Sequence, residues 1–197
     1  MTESESQQVR AARWKFVALT ALFLAPVIIA TTWYFLADYA RPAADPAGTL
    51  IEPVEPLEPF RAQRLDGLAV DQAVVEGQWT LIHVVDSPCF GDCRERLHYT
   101  RQIRDALGHE RDRVERLAVV PNQVDAVGVA ALLPSHPDLG VLIGVDGLVR
   151  QLPAEREPAT VFLVDPLGNL MMRFDGDVEP AEILDDLDQL LSVSRIG

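Results

Sequence analysis

An α/β domain with a mixed sheet flanked by helices, set behind one N-terminal transmembrane helix, is the fold class the sequence predicts. Three observations predict it. An uncharged apolar run extends from Phe16 to Leu36, and about 20 such residues span a bilayer core as a helix. From Thr80 onward, short apolar runs alternate with longer helical patterns, the pattern of a parallel or mixed sheet covered by helices. The pattern then closes on two neighbouring strands and a helix, so part of the sheet is antiparallel.

The apolar run is read as a retained anchor over residues 16–36, behind a short polar tail, residues 1–15. Trp14, Trp33 and Tyr34 sit near its ends as interfacial aromatics do, and Arg10, Arg13 and Lys15 precede it against a lone Arg41 after it. That charge bias puts the tail in the cytoplasm. A cleaved signal peptide is the competing reading, with Ala37-Asp-Tyr-Ala40 as its candidate cleavage site. Its apolar region would normally be shorter. Pro26 is tolerated inside a membrane helix, and no cysteine follows closely enough for a lipid anchor. Everything after residue 40 then lies outside the cytoplasm. The expectation is a single-pass protein of a bacterial inner membrane with its domain in the periplasm, where disulfides persist.

Residues 37–59 read as a Pro-rich periplasmic linker: Pro42, Pro46, Pro53, Pro56 and Pro59 alternate with Glu52, Glu55 and Glu58. Proline favours extended polyproline II, which makes a semi-rigid spacer; a docking strip for a partner is the other reading. Residues 60–197 have the size of one domain. Its expected elements are a strand at Thr80 to Val85, a helix at about Asp92 to Leu107, a strand at Arg116 to Val120 and a helix at Val124 to Leu133. A short apolar run at Leu139 to Ile143 follows, then strands at Thr160 to Val164 and Leu170 to Phe174. Asp165-Pro-Leu-Gly-Asn169 between those two strands favours a tight turn, hence an antiparallel hairpin. The last helix, Glu179 to Leu191, has a proline in its first turn and places Ile183, Leu184, Leu187, Leu190 and Leu191 on one face. An early βαβ followed by ββα is the thioredoxin layout.

The two cysteines, Cys89 and Cys93, fall between the first strand and the first helix of that layout. Backbone N–H groups and the dipole at a helix N-terminus favour thiolate over thiol, which makes Cys89 a nucleophile and a soft-metal ligand. Cys93 lies one turn on, within its reach. The other reading is a pair of plain core residues, since free cysteine packs as a small hydrophobe.

The run Gln78-Trp-Thr-Leu-Ile-His-Val-Val-Asp-Ser-Pro-Cys-Phe-Gly-Asp-Cys93, with Phe162-Leu-Val-Asp-Pro-Leu-Gly168 further on, resembles the SCO/SenC family. These are membrane-anchored thioredoxin-fold proteins of cytochrome c oxidase assembly, and their cysteines have this three-residue gap. The stretch Arg94 to Gly108 is similar to an SCO-related group encoded with oxidase-assembly genes. The resemblance implies that Cys89 and Cys93 carry thiol chemistry, and it makes them candidate Cu(I) ligands without implying copper. Two departures bear on the metal. Arg94 follows the second cysteine where the family has proline, and the family's copper-binding histidine falls near Glu157. Two thiolates still suit Cu(I), whereas Cu(II) wants imidazole nitrogen. Substitute ligands would be His83, His98, Met171 and Met172, each with a plainer reading: His83 facing away from Ile82 and Val84 on its strand, His98 a helix residue, the methionines core. His109 and His136 are assigned no role. Pro158 stands near the place of the cis-proline that faces the cysteines in thioredoxin folds, so it is a third candidate site residue; an ordinary trans-proline opening a strand is the alternative.

The formal net charge of −13 argues against nucleic acid and suits a basic partner such as a cytochrome c, or serves solubility alone. No phosphate-binding Gly-rich loop and no zinc pattern is present. Three functions remain. The favoured one is a tethered thiol/disulfide factor handling Cu(I) in oxidase assembly, its partner an oxidase subunit or another assembly factor. There Cys89 attacks and Cys93 resolves. The others are a general periplasmic thiol:disulfide oxidoreductase and a binding module with a static disulfide.

Overall fold

The computed structural model describes residues 3–39, 46–85, 88–155, 157 and 159–197. The chain divides into two compact units, Met1–Asp45 and Pro46–Gly197.

The first unit is one helix, α1 (Glu3–Tyr39), with Pro26 inside it. Among the described residues its Arg13–Trp33 stretch is the one helix long and apolar enough to cross a membrane. Phe16, Leu22, Phe23 and Ile29 are all exposed along it. Thr20 and Thr31 turn their hydroxyls back onto the carbonyls of Phe16 and Val27, at 2.9 and 2.8 Å, which satisfies both hydroxyls within the helix itself. The helix runs past the apolar stretch at both ends.

The second unit is a sheet of eight strands: β1 (Thr49–Pro56), β2 (Arg61–Arg64), β3 (Ala69–Asp71), β4 (Trp79–Val84), β5 (Val114–Val120), β6 (Leu139–Ile143), β7 (Val161–Val164) and β8 (Asn169–Phe174). Their order is β1-β8-β7-β4-β5-β6-β2-β3. The centre, β4 with β5 and β5 with β6, is parallel, and every other pair is antiparallel. Helices α2 (Asp92–Ala106), α3 (Gln123–Ala130), α4 (Asp146–Val149) and α5 (Pro180–Val193) connect or cover the strands. The β7–β8 turn is tied by Asp165, whose Oδ1 accepts from the N–H groups of Leu167 and Asn169 at 2.9 and 2.8 Å. Gly168 takes the positive φ of 82° that the turn needs.

Alternation along the strands divides the core into two faces. Ile82, Leu117, Val119, Leu142, Phe162 and Val164 pack with Leu57, Phe60, Leu148 and Leu152 on one side. On the other, Trp79, Leu81, Leu163 and Phe174 meet Ile103 of α2 and Leu107 just after it, with Ile183, Leu187 and Leu191 of α5. Beyond them Val85, Cys89, Ala118, Val120 and Val141 meet Leu97 and the α3 residues Ala126 and Val129.

The thioredoxin-like arrangement expected from the sequence is the one observed. The spacer expectation is corrected over part of 37–59: Thr49–Pro56 is strand β1, paired with β8 through Thr49 to Arg173 and Pro56 to Asn169. The folded unit begins at Pro46. Proline is compatible with this because β1 is an edge strand, where a missing N–H on the open side costs no ladder bond. Gly48 admits the approach, since a Cβ there would stand 2.6 Å from the Phe174 ring.

Candidate functional site

Strand β4 delivers the cysteine loop from the middle of the sheet, and Val85 keeps the register one residue further by donating to the Val119 carbonyl at 2.9 Å. The chain then turns into α2 at Gly91, whose φ of 50° and ψ of −121° lie in territory that side chains disfavour. Asp92 and Glu95 in the first turn complement the helix dipole. Cys89 and Cys93 are joined as a disulfide with Cα atoms 5.2 Å apart. Cys89 is 5% exposed and belongs to the core cluster with Leu97 and Ala118, whereas Cys93 is half-buried at that cluster's edge. Between them Phe90 is 72% exposed.

Beneath α2 runs a polar seam. Arg116 enters it from β5 with a fully buried side chain that donates to Thr100 Oγ1 at 3.2 Å, Asp138 Oδ2 at 2.9 Å and the Leu97 carbonyl at 2.5 Å. Thr100 in turn lies 3.0 Å from His83 Nε2. His83 therefore faces α2 and not the Ile82 side of the sheet, as its strand parity requires. Burial, then the charges of Arg116 and Arg96 and the neighbouring His136, hold its imidazole well below the usual histidine range. Burial and the same Arg116 also lower His136. For Asp138, burial alone would push the carboxyl up, but the bond and charge of Arg116 outweigh it and the net shift is downward.

A second guanidinium fixes the outer side of α2. Arg96 is buried and donates to the carbonyls of Val178 at 3.1 Å, Asp175 at 3.3 Å and Gly176, pinning the helix to the β8–α5 loop. Beside it opens a cleft of about 470 Å³ lined by Asp92, Glu95, Arg96, Tyr99, Glu157, Ala159 and the Gly176–Pro180 segment. Its carboxylates make it acidic.

The other expected residues distribute as follows. His98 is exposed, the His109 side chain is 92% exposed, and Met172 is core while Met171 packs half-buried against it. Pro158 lies outside the described residues; its neighbours Glu157 and Ala159 line the cleft. Among the described residues no three His, Cys, Asp or Glu side chains converge as a metal site. Sequence reasoning missed the seam, although one signal was present. Arg116 shares strand parity with Ala118 and Val120, so it is a charge on a core-facing position.

A family model for transmembrane-like, thioredoxin-like C-terminal domains matches residues 79–194. No curated protein matches the chain. Among solved structures, copper-bound ScoI of Bradyrhizobium japonicum superimposes with a TM-score of 0.54 at 21% identity, over 68% of this chain and 99% of that one. BsSco, described as a Sco-family cytochrome c oxidase assembly protein with a disulfide switch, gives 0.54 at 15% identity over 74% and 99%. The thioredoxin domain of a thiol-disulfide oxidoreductase from Bacteroides vulgatus gives 0.52 at 13% identity over 70% and 96%. At these identities the likeness is one of fold.

Proposed function

We propose that this chain, which belongs to the family of transmembrane-like, thioredoxin-like C-terminal domains, is a membrane-tethered thiol/disulfide exchange factor acting in the periplasm on cytochrome c oxidase assembly. The observation that carries the reading is the Cys89–Cys93 disulfide, set at the start of α2 beside an exposed aromatic and an acidic cleft. A disulfide at a helix N-terminus is attacked readily because the thiolate it releases is stabilised there. The fold shared with Sco proteins and with a thiol-disulfide oxidoreductase supports the chemistry. The acidic surroundings support a client with basic residues near its thiols.

Reduced, the pair offers two thiolates on residues whose Cα atoms lie 5.2 Å apart, a donor set that fits Cu(I) as cargo. With no third His, Cys, Asp or Glu converging among the described residues, the same site suits Cu(II) poorly. Oxidase activity and copper content in a deletion strain and in Cys89→Ser and Cys93→Ser strains test the function. Loss in all three is expected. Loss in the deletion alone would make the cysteines dispensable. Intact oxidase with misoxidised secreted proteins would instead indicate a general oxidoreductase. A reporter fused at Gly197 tests the topology and should be active only on the periplasmic side.

A further inference from the structure

We infer that the disulfide is opened at Cys93: a client thiolate attacks Cys93 Sγ, and Cys89 is the leaving thiol. This rests on the exchange function proposed above, and it reverses the order expected from the position of Cys89 ahead of the helix.

Access decides the order. Exchange is a displacement at one sulfur, and its rate depends on which sulfur the attacking thiolate can reach. Cys89 is 5% exposed and packed with Val85, Leu97, Ala118 and Val120. A charged thiolate would lose its hydration among those apolar groups before reaching it. Cys93 is half-buried, and the residues ahead of it, Phe90, Gly91 and Asp92, are all exposed. The leaving group is provided for as well. The N-cap of α2 is Gly91, which has no side chain to cap the helix. No side-chain oxygen at that position caps the first turn, where the Cys93 N–H is held by the Phe90 carbonyl at 3.2 Å, and the positive end of the helix dipole favours a thiolate released beside it.

In the first step a bond forms from the client sulfur to Cys93 Sγ, the Cys89–Cys93 bond breaks, and its electron pair leaves on Cys89 Sγ. The client's second thiolate then attacks the client sulfur of the mixed disulfide, and Cys93 leaves as thiolate. The two protons given up by the client thiols pass through water to Cys89 and Cys93. The client dithiol is oxidised by two electrons and the pair is reduced by two.

The test uses the oxidised full-length protein in detergent, with glutathione as the attacking thiol and an acid quench. Cleavage before Asp92 separates the two cysteines, and mass spectrometry then locates the adduct. Glutathione is expected on Cys93 in about tenfold excess over Cys89. In a second arm, a chromogenic aromatic disulfide should label Cys93 in the Cys89→Ser protein about ten times faster than Cys89 in the Cys93→Ser protein. Denaturant should remove the difference. An adduct chiefly on Cys89, or equal labelling of the two variants in the folded state, overturns the order. The mapping on the unmutated chain decides even if a variant misfolds. An oxidised pair that glutathione does not open at either sulfur overturns the exchange function itself, and the order with it.

Discussion

Acid should weaken this fold through His83, and the size of the effect follows from where that residue lies. In an unfolded chain a histidine titrates near pH 6.5. In the folded protein His83 is 5% exposed and is held well below that value by burial and by Arg116 and Arg96. The groups facing it are Thr100 and Arg96 from α2, Arg116 from β5 and His136 from the loop before β6, and none is a carboxylate. Lowering the pH therefore protonates His83 in the unfolded state first. Stability is fully present above about 6.5 and is lost as pH falls below it. One proton taken up only by the unfolded state costs about 1.4 kcal/mol per pH unit in the limit, and about 1.4 kcal/mol in all between pH 7.5 and 5.5. Replacing His83→Gln keeps a polar partner for Thr100 and removes the titration. Urea unfolding of the detergent-solubilised chain, followed by near-ultraviolet circular dichroism, should show the unmutated protein losing about that much more than the variant over this range. The comparison is of slopes, so a general weakening of the variant does not disturb it. Parallel pH curves for the two proteins would refute the buried neutral imidazole and the seam built around it.

Arg96→Gln removes a buried donor from the carbonyls of Asp175, Gly176 and Val178. It should cost about 2 kcal/mol and speed hydrogen exchange in the 175–178 loop and the first turns of α2 more than elsewhere. For copper, the reduced protein should bind Cu(I) and lose that binding in either Cys→Ser variant. Cu(II) titrated under the same conditions should be held poorly, and tight stoichiometric Cu(II) binding would show that a nitrogen ligand joins the pair.

What the sequence made legible was the part governed by local rules. The βαβ and ββα order followed from apolar runs and their spacing, the β7–β8 hairpin from Asp165-Pro-Leu-Gly-Asn169, and the position of the cysteine pair from the strand before it and the helix after it. Strand β1 was obscured because prolines and glutamates give a spacer's composition, and only pairing with β8 makes Thr49–Pro56 a strand. The seam was hidden for a different reason. Arg116, Thr100 and Asp138 come from three separate elements, and a hydrogen-bond network of that kind has no periodicity to read. The exposure of the two cysteines depends on Leu97, Ala118 and Val120 closing over Cys89, a tertiary fact that their four-residue separation does not contain.

The seam and the disulfide divide the work of holding α2. The bridge closes a loop with a sequence separation of only four, and restricting so short a loop in the unfolded chain contributes about 2 kcal/mol in the chain-entropy picture. Opening it therefore removes a small part of what fixes the helix. Arg116 on the Leu97 carbonyl, the His83 contact with Thr100 and Arg96 on the 175–178 loop all lie beyond Cys93 and do not involve sulfur. A pair that cycles between dithiol and disulfide needs such a support, because the helix N-terminus must stay in place to stabilise the thiolate in the reduced state. Burying two guanidinium groups under and beside α2 is costly unless each is fully hydrogen-bonded. Here Arg116 has Asp138, Thr100 and Leu97 as partners, and Arg96 has carbonyls of the β8–α5 loop. That polar investment lies in the first three turns of the one helix that carries the cysteines, where a rigid support serves exchange chemistry whichever redox state the sulfurs are in.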